Sequence, residues 1–464
     1  MEAVLLIDFG STNTKVTAVD IAGERLLGTA AAFTTVESDI GEGLAQALTE
    51  LEKQAGPLRV LKRRACSSAA GGLRMVAGGL VPSLTAEAAR LASLGAGAKV
   101  VKVFSYELTD EDAAEIASLK PDIFLLCGGV DGGNKEVIIH NARMLAALQA
   151  DFPVLLAGNR TAAAECEKIL SGRELIRCPN VLPQLGKLNI EPVQAQIREL
   201  FLRRIIRAKG LSREQELVSG ILMPTPAAVK RAVELLASGL PAGQCPRPGI
   251  GELVAVDLGG ATTDVYSVAR GMPQAGEVIL KGLPEPFSKR TVEGDIGMRY
   301  SAAGVLEAAG AARLAELSGL EEEQVAAGIA RLSAHPDALP GGAEEENLDF
   351  ALAAAAVETA VTRHAGTLEE IYTPAGPALV QTGKDLTAVD NLVLTGGALI
   401  RNPRIREIAA CARSTRKAPA SLRPKGGRLF IDRSYILAAM GLLAEEYPQA
   451  ALSIMYKEIQ KYGD

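Results

Sequence analysis

The amino-acid sequence predicts a mixed α/β protein made of two similar lobes that face one cleft. The first part of the chain contains three strands, Val4–Ile7, Lys15–Ile21 and Arg25–Thr35, before any helix. In the helix that follows, the apolar residues between Leu44 and Ala55 recur with the helical period of about 3.6 residues. Three strands ahead of the first helix indicate a mixed sheet rather than a simple alternation of strands and helices.

The second observation is that this pattern restarts after a boundary. The segment Leu240–Gly251 is too rich in proline and glycine for the interior of a helix or a strand. Beyond it, strands at Leu253–Val256 and Thr263–Ala269 flank Asp257–Asp264, which repeats the pattern of Asp8–Lys15 in the first part. An internal repeat of this kind predicts a second lobe of the same construction.

A further similarity joins Leu125–Asn134 and Val393–Asn402, because each is an apolar strand that runs into Gly-Gly. We therefore interpret the two segments as equivalent parts of the two lobes. The predicted boundaries are residues 1–240 for the first lobe with a small α/β insert near 84–120, residues 252–440 for the second lobe with a helical subdomain near 301–371, and residues 441–464 for a C-terminal helix.

The composition excludes several classes of function. A formal charge of −6 argues against nucleic acid as a partner, because phosphate-backbone binding needs basic surface. Aromatic residues make up 4% of the chain and tryptophan is absent, so a base-stacking surface is not expected. The three histidines are isolated from one another, which leaves little material for a histidine-based metal site.

The cellular location is predicted from the cysteines and the apolar segments. None of the six cysteines has C-x-x-C spacing, so we expect reduced thiols rather than a disulfide framework. The N-terminus has no basic region ahead of its apolar residues and is not expected to be a signal peptide. The longest apolar stretch, Tyr435–Ala444, is much shorter than the ~20 residues that span a bilayer. We expect a soluble, cytoplasmic protein without a membrane partner.

The turn between the first two strands is a candidate phosphate site. A buried strand that ends in Asp8 places a carboxylate at the edge of the sheet, and the small residues that follow let backbone N–H groups approach an anion. Lys15 is close enough in sequence to reach the same anion. The candidate phosphate-binding residues are Gly10, Ser11, Thr12, Asn13 and Lys15. Considered alone, this motif is equally compatible with a plain hairpin that carries an exposed aspartate and lysine.

The second turn repeats this chemistry with two carboxylates, Asp257 and Asp264. Its candidate phosphate-binding residues are Gly259, Gly260, Ala261 and Thr262. Mg²⁺ at nucleotide sites prefers one or two carboxylates together with waters and phosphate oxygens, so Asp8, Asp257 and Asp264 are candidate metal residues acting through water. Two such turns across one cleft would hold both ends of a polyphosphate.

A third element follows a buried strand in the second half of the chain. Gly396, Gly397 and Ala398 lack large side chains and would let a ribose or an adenine approach the backbone. Taken together, the three elements resemble the phosphate-1, phosphate-2 and adenosine motifs of the actin, Hsp70 and sugar-kinase superfamily. The resemblance implies a two-lobed actin-like ATPase fold, with duplicated ribonuclease-H-like lobes and with ATP and Mg²⁺ between them.

A narrower resemblance concerns four other segments. Cys66–Met75, Leu125–Asn134, Met223–Pro226 and Thr291–Tyr300 are similar to segments of the glutamate mutase accessory proteins, the MutL-type or GlmL family. This resemblance implies an ATPase that serves an adenosylcobalamin-dependent mutase, of the glutamate mutase or aminomutase type, as a reactivating chaperone. The mutase subunits are then the expected partners.

The expected chemistry is phosphoryl transfer from ATP to water, with Asp8 or Asp257 orienting the attacking water. The sequence does not separate these two aspartates. Two alternatives stay open at this point. One is a small-molecule kinase, for which the insert near 84–120 would supply a substrate pocket. The other is a filament-forming or scaffolding ATPase of the same superfamily.

Overall fold

The structure is a computed structural model that describes residues 1–10, 12–33, 40–68, 73–208, 221–241, 246–274, 278–374 and 376–463. Ser11, one of the candidate phosphate-binding residues, lies outside these ranges, as do residues 69–72 of the motif Cys66–Met75. Within the described residues, no helix is both long enough and apolar enough to cross a membrane.

Five strands form the first sheet: β1 (Glu2–Phe9), β2 (Asn13–Asp20), β3 (Arg25–Phe33), β4 (Arg59–Ser67) and β10 (Ile221–Pro224). Their spatial order is β3-β2-β1-β4-β10, in which β2 is antiparallel to its neighbours β1 and β3, and β1, β4 and β10 run parallel. Helix α1 (Ile40–Ala55) buries Leu44, Ala47 and Leu51 in the core of this sheet. The predicted apolar helix face is thereby confirmed.

Six strands form the second sheet: β13 (Leu253–Leu258), β14 (Thr263–Val268), β16 (Ser288–Glu293), β19 (Asn391–Thr395), β20 (Arg428–Ile431) and β21 (Gln460–Lys461). Their order is β16-β14-β13-β19-β20-β21, with antiparallel pairing from β16 to β13 and parallel pairing from β13 to β20. The first five strands in this spatial order, from β16 to β20, have the same sequence of antiparallel and parallel pairings as the five strands of the first sheet. The predicted duplication of the lobes is confirmed by this strand order.

Between β4 and β10 the chain forms a separate, entirely parallel sheet. Its strands are β5 (Arg74–Gly79), β6 (Lys99–Ser105), β7 (Ile123–Leu126), β8 (Val154–Leu156) and β9 (Leu175–Arg177), in the order β6-β5-β7-β8-β9. The helices along this part of the chain are α2 (Glu87–Gly95), α3 (Asp110–Leu119), α4 (Glu136–Ala147), α5 (Ala163–Ile169) and α6 (Glu191–Ala208). We call residues 74–177 the parallel unit.

The parallel unit corrects two expectations. It extends well beyond the insert expected near 84–120, because β7 and β8 pair with β5 and not with the first sheet. The equivalence of Leu125–Asn134 and Val393–Asn402 is wrong for the same reason, since β7 belongs to the parallel unit and β19 to the second sheet. A buried strand followed by Gly-Gly is a local feature of tight strand ends, and it occurs in both sheets.

The helical subdomain contains α8 (Ala302–Ala309), α9 (Ala311–Ser318), α10 (Glu322–Ala334) and α11 (Ala343–His364). Its helices end at His364, before the expected limit near residue 371. The chain then continues into β17 (Thr367–Thr373) and β18 (Gly376–Thr382), which form a small sheet with β15 (Val278–Lys281) in the order β15-β18-β17. These strands therefore replace the last part of the expected helical segment.

The remaining elements are α7 (Thr225–Ser238), β11 (Gly239–Leu240), β12 (Arg247–Pro248), α12 (Gly397–Ile400), α13 (Ile405–Cys411), α14 (Leu437–Leu443) and α15 (Pro448–Glu458). The single C-terminal helix expected over 441–464 is instead the end of α14, all of α15 and β21. Helices α7 and α14 share one core with strands of both sheets. They approach closely, since a Cβ atom on Gly441 would lie 1.8 Å from the carbonyl oxygen of Ala228.

Candidate functional site

Two hairpins of the same construction carry the predicted phosphate residues. In the first hairpin (residues 8–15), Asp8 lies opposite Lys15, and Gly10 N donates to Asn13 O at 3.1 Å. In the second hairpin (residues 257–264), Asp257 lies opposite Asp264. Its turn is closed in the same way, because Gly259 N donates to Thr262 O at 2.9 Å. In their described residues the two turns are therefore equivalent, with Gly10 corresponding to Gly259 and Asn13 to Thr262.

The hairpins face each other across a cleft of about 1000 Å³. A Cβ atom built on Gly260 would lie 3.8 Å from Thr12 Oγ1, so the two turns approach each other closely where they line the cleft. The predicted site residues that line this cleft are Asp8, Gly10, Thr12, Asn13, Lys15, Asp257, Gly259, Gly260, Ala261, Thr262, Asp264, Gly397 and Ala398. The structure thus brings the three sequence motifs together, while the individual roles of these residues stay predictions.

Gly396 has a different place from its neighbours. Its φ of +104° lies in the region that favours glycine, and a Cβ atom there would lie 2.3 Å from the carbonyl oxygen of Leu258. The residue therefore permits the close approach of the β19 end to the second hairpin. Gly397, in contrast, has no atom near the position of a Cβ, lines the cleft and begins α12.

Asp8 is buried and receives hydrogen bonds from two segments distant in sequence. Thr225 Oγ1 donates to Asp8 Oδ1 at 2.6 Å, and Cys66 Sγ lies 3.6 Å from the same oxygen. Burial, and then the charge of Asp8, raise the pKa of the Cys66 thiol, which keeps the thiol protonated as a donor. These two donors come from the motifs Cys66–Met75 and Met223–Pro226, whose convergence on Asp8 the sequence did not reveal.

Lys15 is held between the lobes. Its Nζ lies 3.4 Å from Asp8 Oδ2 and 3.5 Å from the centroid of the Tyr435 ring. Burial alone lowers the pKa of Lys15, but Tyr435, Asp8 and Asp257 together raise it above its ordinary value, so the ammonium group keeps its charge. Tyr435 Oη in turn donates to Asp257 Oδ1 at 3.5 Å.

The carboxyl group of Asp257 titrates near neutrality. Burial raises the pKa of Asp257 to about 7, and the charges of Asp264 and Asp8 act in the same direction against the opposing effect of Lys15. An acid whose pKa lies near the working pH is suited to accept a proton from water. The second hairpin therefore carries a candidate general base.

Asp264 is paired with a buried arginine. Arg290 Nε donates to Asp264 Oδ1 at 2.8 Å, and Arg290 Nη2 lies 2.6 Å from the same oxygen. The guanidinium also donates to the carbonyl oxygens of Leu94 and Ala98 at 2.9 and 3.2 Å, at the C-terminal end of α2 in the parallel unit. The structure thus gives Asp264 an arginine partner that the sequence did not identify, and its expected role toward a metal stays a prediction.

The segment Thr291–Tyr300 supports the second hairpin. Met298 N donates to Gly259 O at 3.1 Å, and Arg299 N donates to Gly260 O at 2.9 Å. The hairpin returns a bond from Thr263 Oγ1 to Ile296 O at 2.9 Å. These bonds fix the carbonyl groups of Gly259 and Gly260, and because Gly259 N already donates to Thr262 O, the N–H groups of Gly260, Ala261 and Thr262 are the candidates for an anion.

The donor chemistry around Lys15 fits a hard divalent cation. Within the residues that the structure describes, no group of three or more His, Cys, Asp or Glu side chains is arranged to hold a metal by itself. The carboxylates near Lys15 already surround a positive charge, and Mg²⁺ at nucleotide sites needs only one or two carboxylates with waters and phosphate oxygens. Asp8 and Asp257 are the residues that would hold such an ion.

The duplicated sheets and the opposed hairpins define a two-lobed protein of the actin-like fold. The chain belongs to the MutL protein family, whose model matches residues 4–459. It is 46% identical over 465 residues to Protein MutL of Clostridium tetanomorphum, an alignment that covers 99% of this chain and 100% of that protein.

Two solved sugar kinases from Lactobacillus acidophilus are more distantly similar. Gluconate kinase and ligand-bound xylulose kinase are each 11% identical, and in each comparison the match covers 100% of this chain and 93% of the kinase. Their TM-scores are 0.35 and 0.36. At these scores the fold assignment rests on the duplicated strand order and not on the two kinases.

Proposed function

We propose that this protein binds Mg-ATP between its lobes, hydrolyses it, and serves in the cytoplasm as a reactivating chaperone for an adenosylcobalamin-dependent mutase of the glutamate mutase or aminomutase type. The observation that carries the proposal is the pair of equivalent Asp-x-Gly hairpins opposed across one cleft. Both turns offer backbone N–H groups to an anion, and the first hairpin adds the charge of Lys15.

The two hairpins have different tasks in this proposal. The first binds phosphate through its turn and Lys15, while Asp8 is aimed by Thr225 at the cation that accompanies the nucleotide. Bound Mg²⁺ supplies positive charge that stabilises the phosphate oxygens. The second hairpin supplies Asp257, which orients the attacking water and accepts its proton; its raised pKa supports this role.

Membership of the MutL family supports a protein partner. The kinase alternative requires a pocket that places an acceptor in line with the γ-phosphate. The segment near 84–120, which was the expected source of an acceptor pocket, contributes Gly97 and Lys99 to the cleft lining. A chaperone needs no such pocket, but it needs different affinities for its partner in the two nucleotide states.

Reactivation of a mutase tests the proposal. A cognate adenosylcobalamin-dependent mutase is inactivated by turnover or by cyanocobalamin, and this protein, Mg-ATP and fresh adenosylcobalamin are then added. We expect mutase activity to return only with ATP and to stay absent with the Asp257→Ala variant. A matched control is Asp337→Ala, which changes an aspartate in the helical subdomain.

The opposite outcome is equally measurable. Stoichiometric transfer of labelled phosphate to a metabolite, without recovery of mutase activity, would identify a small-molecule kinase. Recovery without ATP would remove hydrolysis from the proposal.

A further inference from the structure

Tyr435 lies at a turn with unusual backbone geometry. Its φ of +52° is in the left-handed region, which residues other than glycine adopt rarely. The turn is fixed by the buried Asp432, whose carbonyl oxygen accepts a hydrogen bond from Tyr435 N at 3.1 Å. The carboxylate of Asp432 also accepts bonds from the N–H groups of Ile436 and Leu437 at 2.9 and 3.1 Å. These bonds hold the backbone in a conformation that directs the tyrosine into the cleft.

The tyrosine reaches from the second lobe to the first hairpin. Its ring centroid lies 3.5 Å from Lys15 Nζ, while its hydroxyl group donates to Asp257 Oδ1 at 3.5 Å. Lys15 Nζ also lies 3.4 Å from Asp8 Oδ2. One residue therefore contacts both the cation of the first hairpin and the carboxylate of the second.

We propose that Tyr435 is a positioning residue that holds the Lys15 ammonium group beside Asp8 and Asp257, where it takes the place of a divalent cation. Carboxylates that share a cleft repel one another unless a positive charge lies near them. The face of an aromatic ring attracts an ammonium group and keeps it in place without neutralising it. That a metal arriving with the nucleotide replaces the Lys15 ammonium group rests on the proposed function. That Tyr435 holds Lys15 in the protein without nucleotide does not rest on it.

The chemical reactivity of Lys15 tests directly whether Tyr435 holds its ammonium group. The full-length protein, without nucleotide, is treated with an amine-reactive succinimidyl ester at one fixed pH, and modification of Lys15 is followed by mass spectrometry. Tyr435→Leu removes the ring and is expected to speed the modification roughly tenfold. Tyr435→Phe keeps the ring and is expected to stay within about twofold of the wild type.

The control is Phe104→Leu, which removes a ring 5.0 Å from Lys102 Nζ in the parallel unit. It should leave the rate at Lys15 unchanged. Equal rates at Lys15 in the wild type and Tyr435→Leu would overturn the proposal. Should Tyr435→Leu fail to fold, which a rise in the rates of all lysines reveals, the metal experiment below still tests the second part of the proposal, that Lys15 takes the place of a divalent cation, because its variant retains Tyr435.

Binding of Mn²⁺ alone tests whether Lys15 takes the place of a metal. Lys15→Met keeps the length of the side chain and removes its charge, so the carboxylates of Asp8 and Asp257 are left without a cation. Electron paramagnetic resonance should show Mn²⁺ binding roughly tenfold tighter than in the wild type. The gain should disappear in the Lys15→Met/Asp257→Asn double variant, and Lys53→Met, which changes an exposed lysine, should show none.

Absence of any gain in Lys15→Met would overturn the proposal. Neither experiment contains a nucleotide. A wild-type protein that fails to bind ATP would therefore contradict the proposed function, but the lysine-modification and Mn²⁺-binding experiments would still test the role of Tyr435 and Lys15.

Discussion

The first and second hairpins have the same strand pairing and the same hydrogen bond across the turn, but their side chains differ in charge. Asp8 faces Lys15 across its hairpin, whereas Asp257 faces a second acid, Asp264. In the first hairpin the opposite charges compensate each other locally. In the second, Arg290 from a neighbouring strand pairs with Asp264 and leaves Asp257 with a pKa raised by burial and by the nearby acids. The duplicated backbone thus supplies two anion-binding turns, and the side-chain difference turns one carboxylate into a candidate base.

The largest expected effect comes from removing the compensating charge of the second hairpin. Arg290→Met leaves the carboxylate of Asp264 buried without its partner, which should lower the free energy of unfolding by about 3–5 kcal/mol. Denaturant titration measures the change, and Arg203→Met, at an exposed ion pair, serves as the control. The double variant Arg290→Met/Asp264→Asn should recover most of the loss; no recovery would show that the pair is not the cause.

A second prediction separates the tasks of the two aspartates. Asp257→Asn should reduce ATP hydrolysis roughly 100-fold or more, because it removes the proton acceptor, and should weaken Mg-dependent nucleotide binding less than Asp8→Asn does, because Asp8 remains to hold the cation. Asp8→Asn should instead weaken Mg-dependent binding of a non-hydrolysable ATP analogue. Single-turnover kinetics and calorimetry measure the two effects. The proposed division of tasks between the two aspartates would be refuted if both variants lost ATP hydrolysis and Mg-dependent binding to the same extent.

The third prediction concerns the support of Asp8. Thr225→Val keeps the shape of the side chain but removes the hydrogen bond of 2.6 Å to Asp8 Oδ1. Loss of a hydrogen bond to a charged group should weaken Mg-nucleotide binding by about 1.5 kcal/mol. Calorimetry measures this change, with Thr362→Val, in the helical subdomain, as the control. An unchanged affinity would show that Thr225 does not aim the carboxylate.

The smallest expected effect is on the pH dependence of stability without ligand. The pKa of Asp257 is higher in the folded than in the unfolded protein, so the folded state binds the proton more tightly between about pH 4 and 7. Stability should therefore fall as the pH rises through this window, by about 1 kcal/mol between pH 6 and 7. Urea titrations at several pH values measure how the free energy of unfolding depends on pH in the wild type and in Asp257→Asn. The same pH dependence in both proteins would show that the pKa of Asp257 is not raised.

The two hairpins were predictable from sequence because each is a local pattern of a buried strand, an acid and small residues. The side chains that complete the site were not. Thr225 reaches Asp8 because β10 pairs with β4, and Arg290 reaches Asp264 because β16 pairs with β14. Such pairings join segments far apart in the chain, and no short-range periodicity records them.

The extent of the parallel unit was missed for a related reason. A buried parallel strand is a short apolar segment whichever sheet it joins, so the sequence of Ile123–Leu126 did not indicate which strands it pairs with. Tyr435 gave no signal either, because it stands at the start of an apolar segment that reads as core. Its role depends on a turn conformation that the residue type does not indicate.

The position of the parallel unit between β4 and β10 has a consequence for synthesis of the protein on the ribosome. All strands of the parallel unit emerge before Ile221, the first residue of the strand that pairs with β4. At translation rates of about 5–20 residues per second, β4 waits on the order of ten seconds with an unpaired edge. Vectorial folding of the parallel unit during that delay would place an ordered body beside the open edge before the first sheet is complete.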